Sequence, residues 1–205
     1  MRRLLSSLAA ATAALLLAAA PAGAGGPKLT VPKADLEAAF NCPIDPTDAR
    51  RAPIMFVTGT GATGEQGYLI GQDAFEYYGH PVCYMNFPDF TTTDIQVSAE
   101  YLVYGLRREY RMAGRKVGVI GISQGGLLPR FALTYWPDLR NKVSDVVAAA
   151  GTQHGTTAGS VECSATKPCP PAYWQQRRGS GRLDALNSQP DETPGRVSYT
   201  TVRSL

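Results

Sequence analysis

The chain has 205 residues, with 20 lysines and arginines against 17 aspartates and glutamates, 44% hydrophobic residues and 4 cysteines. A balance so near neutrality excludes a polybasic binder of nucleic acid or of an anionic membrane. The length suits one domain with a real core.

The first residues read as an address. Arg2 and Arg3 precede an apolar run, mostly Ala and Leu, from Leu4 to Ala20. Pro21 breaks the run, and Ala22-Gly23-Ala24 has the small-x-small form of a signal-peptidase site. The run is short for a membrane span and is followed at once by Pro and Gly, so residues 1–24 are expected to be a signal peptide rather than a transmembrane helix. Taking 24 residues from 205 leaves 181, with 18 bases against 17 acids and no second long apolar run. The expectation is a secreted, monomeric protein with no stable membrane anchor. In an exported chain Cys42, Cys83, Cys163 and Cys169 suggest disulfides, with three possible connectivities. Chain order favours Cys42–Cys83 and Cys163–Cys169. The spacings lack a pair of Cys-x-x-Cys motifs, which argues against zinc.

A polar, Pro-rich lead-in covers residues 25–52. Strands and helices then alternate. Pro53 to Thr58 is a short apolar strand of the kind buried on both faces. A Gly-rich turn from Gly59 to Gly67, a short helix around Ile70 to Tyr78 and a strand from Val82 to Phe87 follow. Ile95, Ala99, Leu102, Val103, Leu106, Tyr110 and Ala113 form one apolar stripe at helical spacing. Asp94 or Thr93 can cap that helix and Gly114 ends it. Arg107, Arg108, Glu109 and Arg111 fall mainly off the stripe and read as a solvated face. Lys116 to Ile122 is a strand, and Gln124 to about Tyr135 a helix with Pro129 about a turn inside. Val143 to Ala150 is a strand, Gly151 to Gly181 is irregular, and Arg196 to Arg203 is a last strand. This alternation predicts an α/β fold, a mostly parallel sheet with helices on both faces and its chemistry at the carboxyl ends of the strands. There is no internal repeat and no second domain.

Gly121-Ile122-Ser123-Gln124-Gly125 matches G-x-S-x-G, with an apolar strand leading in and an amphipathic helix leading out. That is the setting a nucleophile elbow requires. A Cβ at position 121 or 125 would collide with the neighbouring segment, and the tight bend presents the serine hydroxyl. Gly59-Thr60-Gly61-Ala62-Thr63-Gly64 has two readings. It fits the dinucleotide fingerprint G-x-G-x-x-G, but that fold wants an acid at the end of the next strand, which here ends Asn86-Phe87-Pro88. The alternative, which the sequence favours, is half of an oxyanion hole, with Thr60 offering its N–H and hydroxyl and the N–H of Gln124 completing the site.

In order along the chain, Val57-Thr58-Gly59-Thr60-Gly61, Cys83, Asp94-Ile95-Gln96-Val97 with Glu100-Tyr101, Ser123-Gln124-Gly125-Gly126-Leu127, Pro137 to Val143 and Trp174-Gln175-Gln176 resemble the Candida antarctica lipase B-like lipases, an α/β-hydrolase family. The resemblance runs from about Phe40 to Val202. It implies that Ser123 is acylated, that Thr60 and Gln124 hold the oxyanion, that Cys83 pairs with Cys42, and that Gln176 lines the pocket. Ile122 stands where the best-known member has tryptophan, and Thr152 replaces an aspartate near the acyl pocket. Leu127 and Trp174 are further apolar candidates for that pocket.

In this fold the chain order is Ser, then Asp or Glu, then His. The sequence holds only His80 and His154. His80 precedes the serine in a loop. His154 lies in a Gly-Thr-x-His turn of the kind that is structural in bacterial lipases. Asp184, Asp191 and Glu192 precede the last strand and are poor candidates for the acid. The expectation is therefore a secreted lipase or esterase acting on an ester or lipid substrate without metal or cofactor, in a chain truncated before its acid and histidine, with C-terminal strands and helices missing. The competing expectation is a non-catalytic, lipid-binding remnant.

Overall fold

The computed structural model describes residues 25–157 and 168–203. The expected signal segment 1–24 and Cys163 lie outside the described residues. In chain order the elements are α1 (Lys33–Ala39), β1 (Phe40–Asn41), β2 (Ile54–Val57), α2 (Gly64–Tyr78), β3 (Val82–Met85), a short turn α3 (Pro88–Thr91), α4 (Ile95–Ala113), β4 (Val117–Ile122), α5 (Gln124–Tyr135), a 3₁₀ turn (Pro137–Asn141), β5 (Val143–Ala149), α6 (Pro171–Gln175), α7 (Gly181–Asn187) and β6 (Ser198–Val202).

The strands form one sheet in the order β1-β3-β2-β4-β5-β6. Every pairing is parallel except β1 with β3. Strand periodicity divides the core between the two faces. Met55, Val57, Cys83, Met85, Val117 and Val119 point to one face and pack with Ile95, Ala99, Leu102 and Leu106 of α4 and Leu127, Leu128 and Phe131 of α5. Phe56, Val82 and Tyr84 point to the other and pack with Tyr68 of α2, with Ile54, Ile120 and Ile122 alongside. The stripe on α4 thus buries from Ile95 to Leu106 as its spacing predicts, with Tyr110 and Ala113 half-buried at its end. Asp94 caps the helix through Gln96 N–H, and Gly114 closes it in the left-handed region at φ 63°.

Four expectations are corrected. Residues 25–52 are more than a lead-in, since they form α1 and β1. Buried Glu100 anchors their start by accepting from the N–H and hydroxyl of Thr30 and from Val31 N–H at 3.0 Å. The helix expected around Ile70 begins at Gly64, because Thr63 and Gln66 form a capping box. The stretch 151–181 is not uniformly irregular, since α6 lies inside it. Glu109 is not on a solvated face. It is 0% exposed, whereas its neighbour Arg107 reaches out to bond Asp138 at 2.8 and 3.0 Å.

Cys42 and Cys83 are joined, tying the end of β1 to β3. Among the described residues no helix is long and apolar enough to cross a membrane.

Candidate active site

β2 and β4 are neighbours in register, Val57 beside Gly121, so the loop after β2 and the bend after β4 emerge side by side. The bend is strained. Ser123 has φ 56° and ψ −122°, and its N–H donates to Ala149 O of β5 at 2.9 Å. A methyl at Gly121 would lie 1.9 Å from Gly125 O, and one at Gly125 would lie 2.1 Å from Val57 O. Both positions therefore admit only glycine. Ser123 is half-buried and stands at the N-terminus of α5, whose first amides have no helical partner and carry the positive end of the helix dipole.

The loop after β2 presses against this serine. A Cβ on Gly59 would lie 3.0 Å from Ser123 Cβ and 3.6 Å from its Oγ. Thr60 follows. Its hydroxyl donates to Gln124 Oε1 at 2.6 Å and accepts from Gln176 Nε2 at 2.9 Å. Gln176 Nε2 also reaches Gln124 Oε1 at 2.9 Å, and Thr152 Oγ1 donates to Gln176 Oε1 at 3.0 Å. Gln124, Gln176 and Thr152 are buried, so this amide–hydroxyl network is shielded from water. Thr60, Ser123, Thr152 and Gln176, with Ala150, Thr156 and Tyr173, line a cavity of about 340 Å³.

Other candidates lie elsewhere. Ile122 packs beside the Phe56–Tyr68–Tyr84 cluster on the α2 face. Leu127 is wholly inside the main core, and Trp174 is 43% exposed under the Arg177 guanidinium at 4.4 Å. Neither histidine lines the Ser123 cavity. His80 Nδ1 lies 2.9 Å from Ala52 O. His154 Nε2 lies 3.3 Å from Glu192, and both line a separate cavity of about 190 Å³ with Arg130 and Tyr199. Asp184 is exposed on α7, and Asp191 accepts from Thr193 N–H at 2.8 Å. Sequence reasoning missed Ala150, Thr156 and Tyr173 as cavity residues. Tyr173 adjoins the Trp174-Gln175-Gln176 motif, whereas nothing about an alanine at a strand end marks it out.

A mostly parallel sheet, helices on both faces, and a strained Ser at the strand-to-helix bend beside a Gly-rich loop define an α/β-hydrolase fold. Within that class the chain is similar to lipase B of Pseudozyma antarctica, at 33% identity over 165 residues that cover 79% of this chain and 48% of that protein. The crystal structure of Aspergillus fumigatus lipase B superimposes with a TM-score of 0.77 at 26% identity, covering 96% of this chain and 47% of that one. Mature Bacillus licheniformis lipase BlEst2 shares the fold at a TM-score of 0.63 and 22% identity, over 79% of this chain and 70% of that one. The chain spans about half the length of the curated relative it matches. No family model matches it.

Proposed function

We propose that this chain carries the nucleophile of a secreted serine hydrolase that cleaves carboxylic esters, with acylglycerols as the natural class. The single observation behind this reading is the contact of the Gly59–Thr60 loop with Ser123 at the mouth of α5. In the reaction Ser123 Oγ attacks the ester carbonyl while a general base takes its proton and passes it to the leaving alcohol. Water then cleaves the acyl-enzyme. Negative charge that builds on the carbonyl oxygen meets the N–H of Gln124, the N–H of Thr60 and the Thr60 hydroxyl. Preset donors of this kind are each worth about 10²–10³ in rate. In the resting site the Thr60 proton points at Gln124 Oε1. When it turns to the oxyanion, Gln176 Nε2 keeps Gln124 Oε1 bonded, so the turn orphans no buried acceptor. Thr152 and Gln176, which line the cavity beside Ser123, face the acyl group. The Cys42–Cys83 bond and the signal-like N-terminus support export.

A second reading has its own observation. Neither histidine of the sequence lines the Ser123 cavity, so these 205 residues alone could hold an ester without taking up the Ser123 hydroxyl proton. Hydrolysis of a short-chain nitrophenyl ester separates the two. The first reading expects turnover that falls at least about 10³-fold in Ser123→Ala. Turnover unaffected by that change defeats it. Saturable ester binding with no turnover in either form favours the second.

A further inference from the structure

Between β3 and α4 the chain does something costly. Asp89, Phe90 and Thr91 all have positive φ, at 50°, 54° and 63°, and none is glycine. Each left-handed L-residue costs roughly 1–2 kcal/mol, and runs of them are rare. Strain of this kind persists only where the surroundings hold it, and it gathers at functional sites. Phe90 gains little by burial, since its side chain is 60% exposed, so core packing does not account for the turn.

What the turn delivers is a grip on the loop that carries Thr60. Phe90 C=O accepts from Gly61 N–H at 2.8 Å, and the wholly buried Thr91 hydroxyl donates to Ala62 C=O at 2.8 Å. The dipeptide after Thr60 is therefore held at both ends, by one bond received and one given. Because the Thr60–Gly61 peptide is planar, fixing Gly61 N–H fixes the plane that follows Thr60. One residue on, Thr92 C=O accepts from Ala172 N–H of α6 at 3.1 Å, and α6 leads into Gln176, whose Nε2 bonds the Thr60 hydroxyl. The segments close a circuit of Thr60–Gly61 to Phe90–Thr92 to Ala172–Gln176 and back to Thr60. Each link is a hydrogen bond between segments distant in sequence.

We propose that the left-handed turn Asp89–Thr91 is a clamp that sets the oxyanion loop, with Thr91 as a positioning residue. The proposal rests on the serine-hydrolase reading. The clamp holds the Thr60 donors where the transition-state oxygen forms, at the expense of local backbone strain. A looser loop would still admit substrate, so the loss should fall on kcat rather than KM.

The test compares Thr91→Val, which keeps the shape and removes the hydroxyl, with Thr91→Ser, which keeps the hydroxyl. Hydrogen exchange across residues 59–62 reads the clamp directly and needs no turnover. Gly61 N–H should exchange at least about tenfold faster in Thr91→Val and near the wild-type rate in Thr91→Ser. On a nitrophenyl ester, kcat should fall about tenfold or more in Thr91→Val, with KM within about twofold, and recover in Thr91→Ser. Unchanged exchange at Gly61 overturns the clamp. So does a faster exchange whose only kinetic effect is on KM. If Ser123→Ala abolishes turnover while Thr91→Val leaves both readouts at wild type, the clamp alone fails. If turnover survives Ser123→Ala, the underlying reading fails instead.

Discussion

Glu109 sits on α4 with no exposed surface and, among the described residues, no hydrogen-bond partner for either carboxylate oxygen. Burial pushes its carboxyl well above the ordinary value of 4.5. Burial therefore favours the neutral acid in the fold, while the unfolded chain gives up the proton near its usual pKa. Between those two values the folded state binds more protons, so stability falls as pH rises through the window. Below the unfolded value this contribution is fully present. Glu109→Gln should flatten that part of the pH–stability curve. Glu109→Leu should raise stability at neutral pH by about 1–3 kcal/mol, the usual mutational cost of an unpaired buried polar group. Urea midpoints on both sides of the window check this, and gains of equal size at acid and neutral pH would show that Glu109 does not titrate. The sequence hides this residue among Arg107, Arg108 and Arg111, where a carboxylate reads as part of a charged surface. Gly121 and Gly125 are the opposite case. The pattern around Ser123 marks them because a methyl at either has no room, and the distances of 1.9 and 2.1 Å to carbonyl oxygens give the reason.

Among the elements, legibility follows length and periodicity. α4 runs for 19 residues and carries one apolar stripe, so its spacing alone locates it and Asp94 and Gly114 mark its ends. α1 and α7 have 7 residues each and α6 has 5, too few for a period to repeat, and β1 has 2. Tertiary contacts make these elements stable, so sequence does not mark them. α2 lies between. Thr63 and Gln66 cap its start, but the four glycines from Gly59 to Gly67 read as loop and hide it. Glu100 shows what such tertiary contacts do. This buried carboxylate satisfies the amides of Thr30 and Val31, which have no strand or helix to bond them. Glu100→Leu leaves both without that acceptor and should lower stability by about 1–3 kcal/mol. Limited proteolysis should then cut near residues 28–32 well before the core opens. A cleavage pattern identical to wild type would mean that other contacts hold the lead-in.

At the scale of the whole molecule, strand order decides where chemistry sits. Alternating elements predict a parallel sheet, but not that β2 and β4 stand side by side near its centre, and it is that adjacency which brings the Thr60 loop against Ser123. One edge closes differently. β1 is short and antiparallel, contributes few ladder bonds, and is secured by the Cys42–Cys83 bond over a sequence separation of 41. A crosslink closing a loop of that size is worth about 4 kcal/mol on the chain-entropy model, and measured native bonds give roughly 2–5. The bond lies at the sheet edge, with β2 between it and the serine bend of β4. Replacing both cysteines by alanine should therefore lower the melting temperature by roughly 5–15 °C for a domain of this size. Ester turnover measured well below that transition should stay within about twofold of wild type. Thermal melts of the oxidised protein, the reduced protein and the Cys42→Ala/Cys83→Ala variant test this together. Reduction, which also opens the disulfide at Cys169, should lower the transition at least as far as the double variant does. A loss of turnover at low temperature in the folded variant would mean that the edge and the site are coupled through β3 and its turn Asp89–Thr91, rather than being independent as the sheet order implies.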